Sequence, residues 1–192
     1  MHWRIVPAHP LSSAQFDKLA DTVVNLATTH EFGDWRIQDV VAATGISSRT
    51  IYKYFPTKEY LLLSAVVTQY GSPEDLLPVR AARGRTPRTR ALRVLDSMTE
   101  AQLAFPKLSR SMVRALTCGQ QEVAPLLHEY TALVRAALAR ALAGPQPESR
   151  DMAAAQVLQQ VWFSALVAWA SNIEPANHIE TSVRQALSLI AA

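Results

Sequence analysis

Residues 45–59 read GISSRTIYKYFPTKE and crowd together groups that bond and carry charge: four Ser and Thr hydroxyls, two tyrosines, and Arg49, Lys53 and Lys58 against the single acid Glu59. Each type suits a nucleic acid. Arg49 can present a two-pronged donor fork to a guanine edge, Ser48 and Thr50 can bond bases or phosphates, and Tyr52, Lys53 and Tyr54 can bond phosphate oxygens. The first sixty residues balance at six cations and six acids, yet within 36–58 the cations Arg36, Arg49, Lys53 and Lys58 face only Asp39. Lys58 adds a further hint. A cation in the first turn of a helix opposes the helix dipole at a cost of about 0.3–1 kcal/mol unless an anion lies nearby, and a phosphate would supply that anion.

These side chains need elements to hold them. Ser12 followed by Gln15 has capping-box spacing, and Phe16, Leu19, Ala20, Val23 and Ala27 then recur as one apolar stripe, so a first helix is expected over about 13–30. Gly33 and Asp34 break it. Ile37, Val40 and Val41 form a second stripe barely two turns long that stops at Thr44-Gly45, with Asp34 as its expected cap. Ser47 can cap a third short helix whose Ile51 and Phe55 share the buried side, leaving Ser48, Arg49, Tyr52 and Lys53 on the other. Pro56 ends it, and Thr57 can cap a fourth helix from Lys58 to about Tyr70.

Two brief helices joined at a glycine turn, the second cationic on its outward side, are the pattern of a helix-turn-helix. GISSRTIYKYFPTKEYLL resembles the signature of the TetR family of transcriptional regulators, a match that covers about residues 12–65. The resemblance implies a three-helix DNA-binding head, residues 1–71 with the N-terminal arm, ahead of a ligand-binding and dimerisation body, residues 72–192. It also implies that Gln38, Ser48, Arg49 and Thr50 face bases or nearby phosphates, that Tyr52, Tyr54 and Lys58 face the backbone, and that Gly45 is the turn glycine. Trp35-Arg36 departs from the family, which commonly has a hydroxylated cap there, and Arg36 is positioned for an added phosphate contact. With Ser47, the candidate DNA-binding set is Arg36, Gln38, Ser47, Ser48, Arg49, Thr50, Tyr52, Lys53, Tyr54 and Lys58.

The body is expected to hold helices over about 87–104, 107–117, 121–143, 150–172 and 177–191, separated by Pro and Gly. The whole is then all-α with about nine helices. Arg80 to Arg93 carries six arginines and no acid, the composition of a solvated face or connector. Met98, Phe105, Met112, Leu116, Leu127, Tyr130 and Val134 supply more large apolar surface than a thin layer needs, and with Trp162, Leu166 and Trp169 they are the candidate lining of a ligand cavity. The penultimate helix is apolar on most sides, which calls for a neighbour that a two-fold partner would supply. SMVRALT and VWFSALVAWA are similar to lipid-responsive members of the family, the actinobacterial repressors of cholesterol catabolism among them. That likeness implies a steroid or fatty acyl effector, with a coenzyme A thioester as one form of it, and the TetR resemblance implies a homodimer through the last two helices on a palindromic double-stranded operator.

Other classes find less support. The five histidines show no metal-ligand spacing, no Gly-rich phosphate loop is present, and no motif groups a nucleophile with a base, so neither enzymatic activity nor a cofactor is expected. The alternative is a helical ligand-carrier or adaptor whose basic head binds an acidic protein. A single cysteine, Cys118, suits a reducing cytoplasm. The start MHWRIVPAHP lacks the apolar run of a signal peptide, and Val161 to Ala170 is too short to cross a bilayer, so no membrane role is expected.

Overall fold

The computed structural model describes residues 11–70 and 84–190. Among them are nine helices and no strand: α1 Ser13–Thr29, α2 Ile37–Thr44, α3 Ser48–Tyr54, α4 Lys58–Tyr70, α5 Pro87–Ala104, α6 Pro106–Leu116, α7 Ala124–Ala143, α8 Ser149–Ala170 and α9 Asn177–Ile190. The all-α expectation holds, with helix ends within about three residues of those read from the pattern. The described residues fall into two compact units. One joins those before residue 71 with Phe105–Leu127; the other joins those from 84 to Ala104 with those from His128 onward.

In the first unit the local rules operate as the spacing requires. Ser12 Oγ accepts from the Gln15 N–H at 3.2 Å while Gln15 Oε1 accepts from the Ser12 N–H at 3.0 Å, so two donors left over at the start of α1 satisfy each other. The stripe Phe16, Leu19, Ala20, Val23, Val24 and Ala27 is buried, and α1 packs on α2, α4 and α6. Gly45 ends α2 at φ +76°, the left-handed region where a Cβ is disfavoured. Ile51 and Phe55 are fully buried, and the Phe55 ring stacks on Phe16 at 5.8 Å and 7°. Each is worth about 1.5–3 kcal/mol of burial, enough to fix the roll of the seven-residue α3, which could not stand alone.

One local feature differs from expectation, and one long-range grouping adds to it. Asp34 does not cap α2; the Arg36 N–H instead donates to Asp39 Oδ2 at 2.6 Å, so the acid three residues inside the helix reaches back over its start. The segment 105–127, counted with the body in the sequence division, packs with the helix-turn-helix. The apolar side of α6 lies on α1 and α4, Lys107 Nζ donates to the Thr29 carbonyl at the end of α1 at 2.8 Å, and Gln120 Nε2 donates to Glu59 Oε2 at 3.2 Å.

The second unit is built on α8, whose Ala155, Leu158, Gln159, Trp162, Ala165, Leu166 and Trp169 are buried, with α9 packed on α8 and α5. Trp162, fully buried, donates from Nε1 to Thr99 Oγ1 at 3.0 Å, which satisfies the one polar atom such a side chain takes inside. Arg90 departs from the solvated run around it: Nε donates to the Ala141 carbonyl at 2.7 Å and Nη2 to that of Leu142 at 3.1 Å, a cation on the negative end of α7. Arg85, Arg88 and Arg93 are exposed, whereas Arg80, Arg83 and the N-terminal arm lie outside the described residues.

Candidate nucleic-acid interface

The start of α3 is set by hydrogen bonds that leave its outer side free. Ser47 Oγ accepts from the Thr50 N–H at 3.2 Å and pairs with the Thr50 hydroxyl at 2.9 Å, so these two side chains cap the helix before they can serve anything else. Ser48, Arg49, Tyr52 and Lys53 are exposed on the same seven-residue helix, with Tyr52 at 50%. Tyr54 is half-buried, and the Lys53 ammonium lies 5.3 Å from the centre of its ring. Arg36 and Gln38 are exposed at the start of α2. Among the described residues the salt-bridge contacts are Arg184 with Glu180 and the His178 ring with Glu174, so Arg36 ahead of α2 and Arg49 and Lys53 of α3 stand outside any ion pair. A helix locked on one side and bearing uncompensated donors on the other suits a polyanion.

A cleft of about 310 Å³ adjoins this face, lined by Gln15, Lys18, Thr44, Gly45, Ile46, Ser47 and Thr50 among others. Lys18 Nζ donates to the Thr44 carbonyl at 3.4 Å, which places a cation on the last turn of α2. The sequence did not single Lys18 out. Its offset from the apolar stripe shows that it faces outward, but nothing local shows that this side of α1 meets the Gly45 turn.

Lys58 is placed otherwise than expected. Its ammonium is half-buried, donates to the carbonyls of Phe32 and Trp35, and lies 3.8 Å from the Trp35 ring centre. The negative partner that its place on the α4 dipole calls for is thus supplied by the chain itself. Thr57 Oγ1 caps α4 as anticipated, accepting from the Tyr60 N–H at 3.1 Å.

The candidate ligand-lining residues divide between the units. Met98, Val134, Trp162, Leu166 and Trp169 are buried in the second, and Tyr130 there is half-buried with its phenol pushed well above the ordinary range by burial. Leu116 is buried and Met112 and Leu127 half-buried in the first. Phe105 departs from the set. It is 47% exposed, because it is the cap residue between α5 and Pro106 and so lies on neither helix. Among the described residues no group of three His, Cys, Asp or Glu side chains could hold a metal, and no helix is long and apolar enough to cross a membrane.

Comparison with known proteins agrees with this geometry. Residues 84–190 match the family model "Tetracyclin repressor-like, C-terminal domain", and residues 21–65 match "Bacterial regulatory proteins, tetR family". The chain is 28% identical over 172 residues to the HTH-type transcriptional repressor KstR of Rhodococcus jostii, covering 86% of this chain and 79% of the relative. A TetR transcriptional regulator from Rhodococcus sp. RHA1 superposes with TM-score 0.76 at 23% identity, covering 93% of this chain and 96% of the other. Thermus thermophilus FadR, a TetR-family repressor solved with lauroyl-CoA, superposes with TM-score 0.69 at 18% identity, covering 92% and 93%. With its carboxy-terminal half and its helix-turn-helix both matched, the chain belongs to the TetR family of bacterial DNA-binding transcriptional regulators.

Proposed function

We propose that the protein is a repressor that binds a palindromic operator as a homodimer and is released by an apolar effector, acting in the cytoplasm. The observation that carries operator binding is the outer side of α3: Ser48, Arg49, Tyr52 and Lys53 exposed and unneutralised on a helix whose roll is fixed by Ile51 and Phe55. In this proposal Arg49, Ser48 and Gln38 face base edges, while Arg36, Tyr52, Lys53 and Tyr54 face phosphates. Selection of bound DNA from a random pool, followed by a gel shift at several salt concentrations, tests it. A recovered inverted repeat with a steep salt dependence is the expected result. Binding to acidic proteins but to no DNA would favour the adaptor alternative.

Dimerisation is supported by what α8 and α9 leave uncovered. Val157, Ile173 and Leu189 are 45%, 72% and 82% exposed, and a groove of about 360 Å³ is lined by Gln160, Val161, Ser164, Ala165, Ala168, His178 and Ser182. Small side chains let a second helix pair approach closely, and a two-fold partner would place two α3 helices on successive half-sites. A lipid effector, either a steroid or a fatty acyl group, is supported by the likeness to KstR and to a FadR solved with lauroyl-CoA, and by the large apolar side chains Met98, Val134, Trp162, Leu166 and Trp169 of the second unit. The coenzyme A thioester is the form to test first. Such a ligand releases DNA only by binding one conformation better than the other, so the operator must weaken effector binding by the same factor.

A further inference from the structure

Lys58 is held by four groups of one short segment. Its ammonium donates to the carbonyls of Phe32 and Trp35, the latter at 2.5 Å, and lies 4.2 Å from the ring centre of Phe32 and 3.8 Å from that of Trp35. Both rings are buried and meet edge to face at 5.9 Å and 79°, while the Arg114 guanidinium of α6 lies 5.2 Å from the same Phe32 ring. The held segment connects α1 to α2. Arg36, the next residue, opens α2, and α2 passes through the Gly45 turn into α3. A lysine meant for a phosphate would extend its stem into solvent; this one turns inward and closes on the connector that sets where the two reading helices begin.

We infer that Lys58 is a positioning residue for DNA reading: its charged head clamps the Phe32–Trp35 connector and so orients α2 and α3, and it makes no phosphate contact of its own. The inference rests on the operator-binding function proposed above. It also explains the departure at Trp35, where a hydroxylated cap is absent and an indole lies against the ammonium.

The clamp depends on charge. Burial lowers the Lys58 pKa from 10.5 to about 8, with Glu59 of its own helix, Asp39 of α2 and Asp34 of the connector acting to raise it and Arg114 of α6 acting to lower it. Because the folded value lies below the unfolded one, the folded chain sheds this proton first. This group therefore makes the fold more stable as pH rises from about 8 to about 10.5. The cation–π contacts and charge-assisted bonds weaken over the same deprotonation. Stability and DNA reading thus respond to pH in opposite directions, which a lysine with only a structural role would not produce.

The test uses the full chain as wild type, Lys58→Arg and Lys58→Met, with the operator recovered from the random pool. Arginine keeps its charge throughout, so wild-type affinity should fall against Lys58→Arg by about tenfold per half-site between pH 7 and pH 9, the factor set by the remaining protonated fraction. Lys58→Met should bind more weakly at both pH values with an unchanged slope of log affinity against log salt. Parallel pH profiles for wild type and Lys58→Arg would overturn the inference, as would a slope for Lys58→Met shallower by roughly two units per dimer, the mark of a lost phosphate contact. A measurement without DNA separates this from failure of the functional proposal. The chain has four lysines, so ¹⁵N-lysine labelling should show one Nζ resonance titrating near pH 8 that is missing from Lys58→Arg. All four titrating near their ordinary value would overturn the clamp, whereas that resonance in a protein that binds no DNA would leave the clamp intact and overturn the proposed function and the reading role with it.

Discussion

α3 and α8 each bury one side and expose the other, yet they leave different chemistry in view. On α3 the exposed groups are a guanidinium, an ammonium, a hydroxyl and a phenol, over a buried side formed by Ile51 and Phe55. On α8 the buried side is larger, and the outer one, past Arg150, Gln156 and Gln160, shows Val157 with the small residues Ser164 and Ala168 beside Val161. The contrast teaches that the exposed chemistry, more than amphipathicity itself, distinguishes a helix for a polyanion from a helix for a protein surface. Uncompensated donors cost little in water and gain from phosphates, whereas exposed aliphatic groups gain only from exclusion of water.

The contrast can be broken most severely at the buried side of α3. Phe55→Ala removes a fully buried ring stacked on Phe16 and should cost about 3–5 kcal/mol, read as a large drop in the chemical-denaturation midpoint together with lost DNA binding. A mild stability loss would mean that α3 is held mainly by its caps. The next effect is expected on α8. Val161→Arg places two like charges across the proposed two-fold seam, which costs several kcal/mol, so sedimentation should show monomers with unchanged helicity. Dimers persisting at micromolar concentration would move the interface elsewhere. Arg49→Ala should be the smallest in energy and the sharpest in kind: about 1–3 kcal/mol lost at one base pair of each half-site, with little change on random DNA. Equal losses on both DNAs would assign Arg49 to the phosphates.

What was legible in the sequence follows from distance along the chain. The Ser12–Gln15 box, the Gly45 stop and the Ser47 cap are made by residues three or four apart, and the α3 face follows from 3.6 residues per turn, so residue types alone disclose them. The start of α2 is ambiguous even at short range, since Asp34 and Asp39 are both acids near the same N–H groups and only the backbone geometry chooses Asp39. Lys58 bonds to residues 23 and 26 positions away, and Lys107 reaches Thr29 across 78. Such contacts depend on how helices pack, and no local spacing encodes them. For the same reason residue type alone groups Phe105 with the cavity lining, although it joins two helices at the surface.

The grouping of Phe105–Leu127 with the helix-turn-helix bears on the order in which the chain becomes protein. Synthesis delivers α1 to α4 first, but the helix that covers α1 and α4 and ties down Thr29 comes only after α5. About two-thirds of the chain must therefore leave the ribosome before the first unit can close, and until then the parts of α1 and α4 that α6 covers stay exposed. A nascent chain halted between α4 and α6 holds every candidate base-reading residue and lacks the surface that α6 brings to α1 and α4. Its competence to recognise DNA should arrive late and abruptly, when α6 emerges.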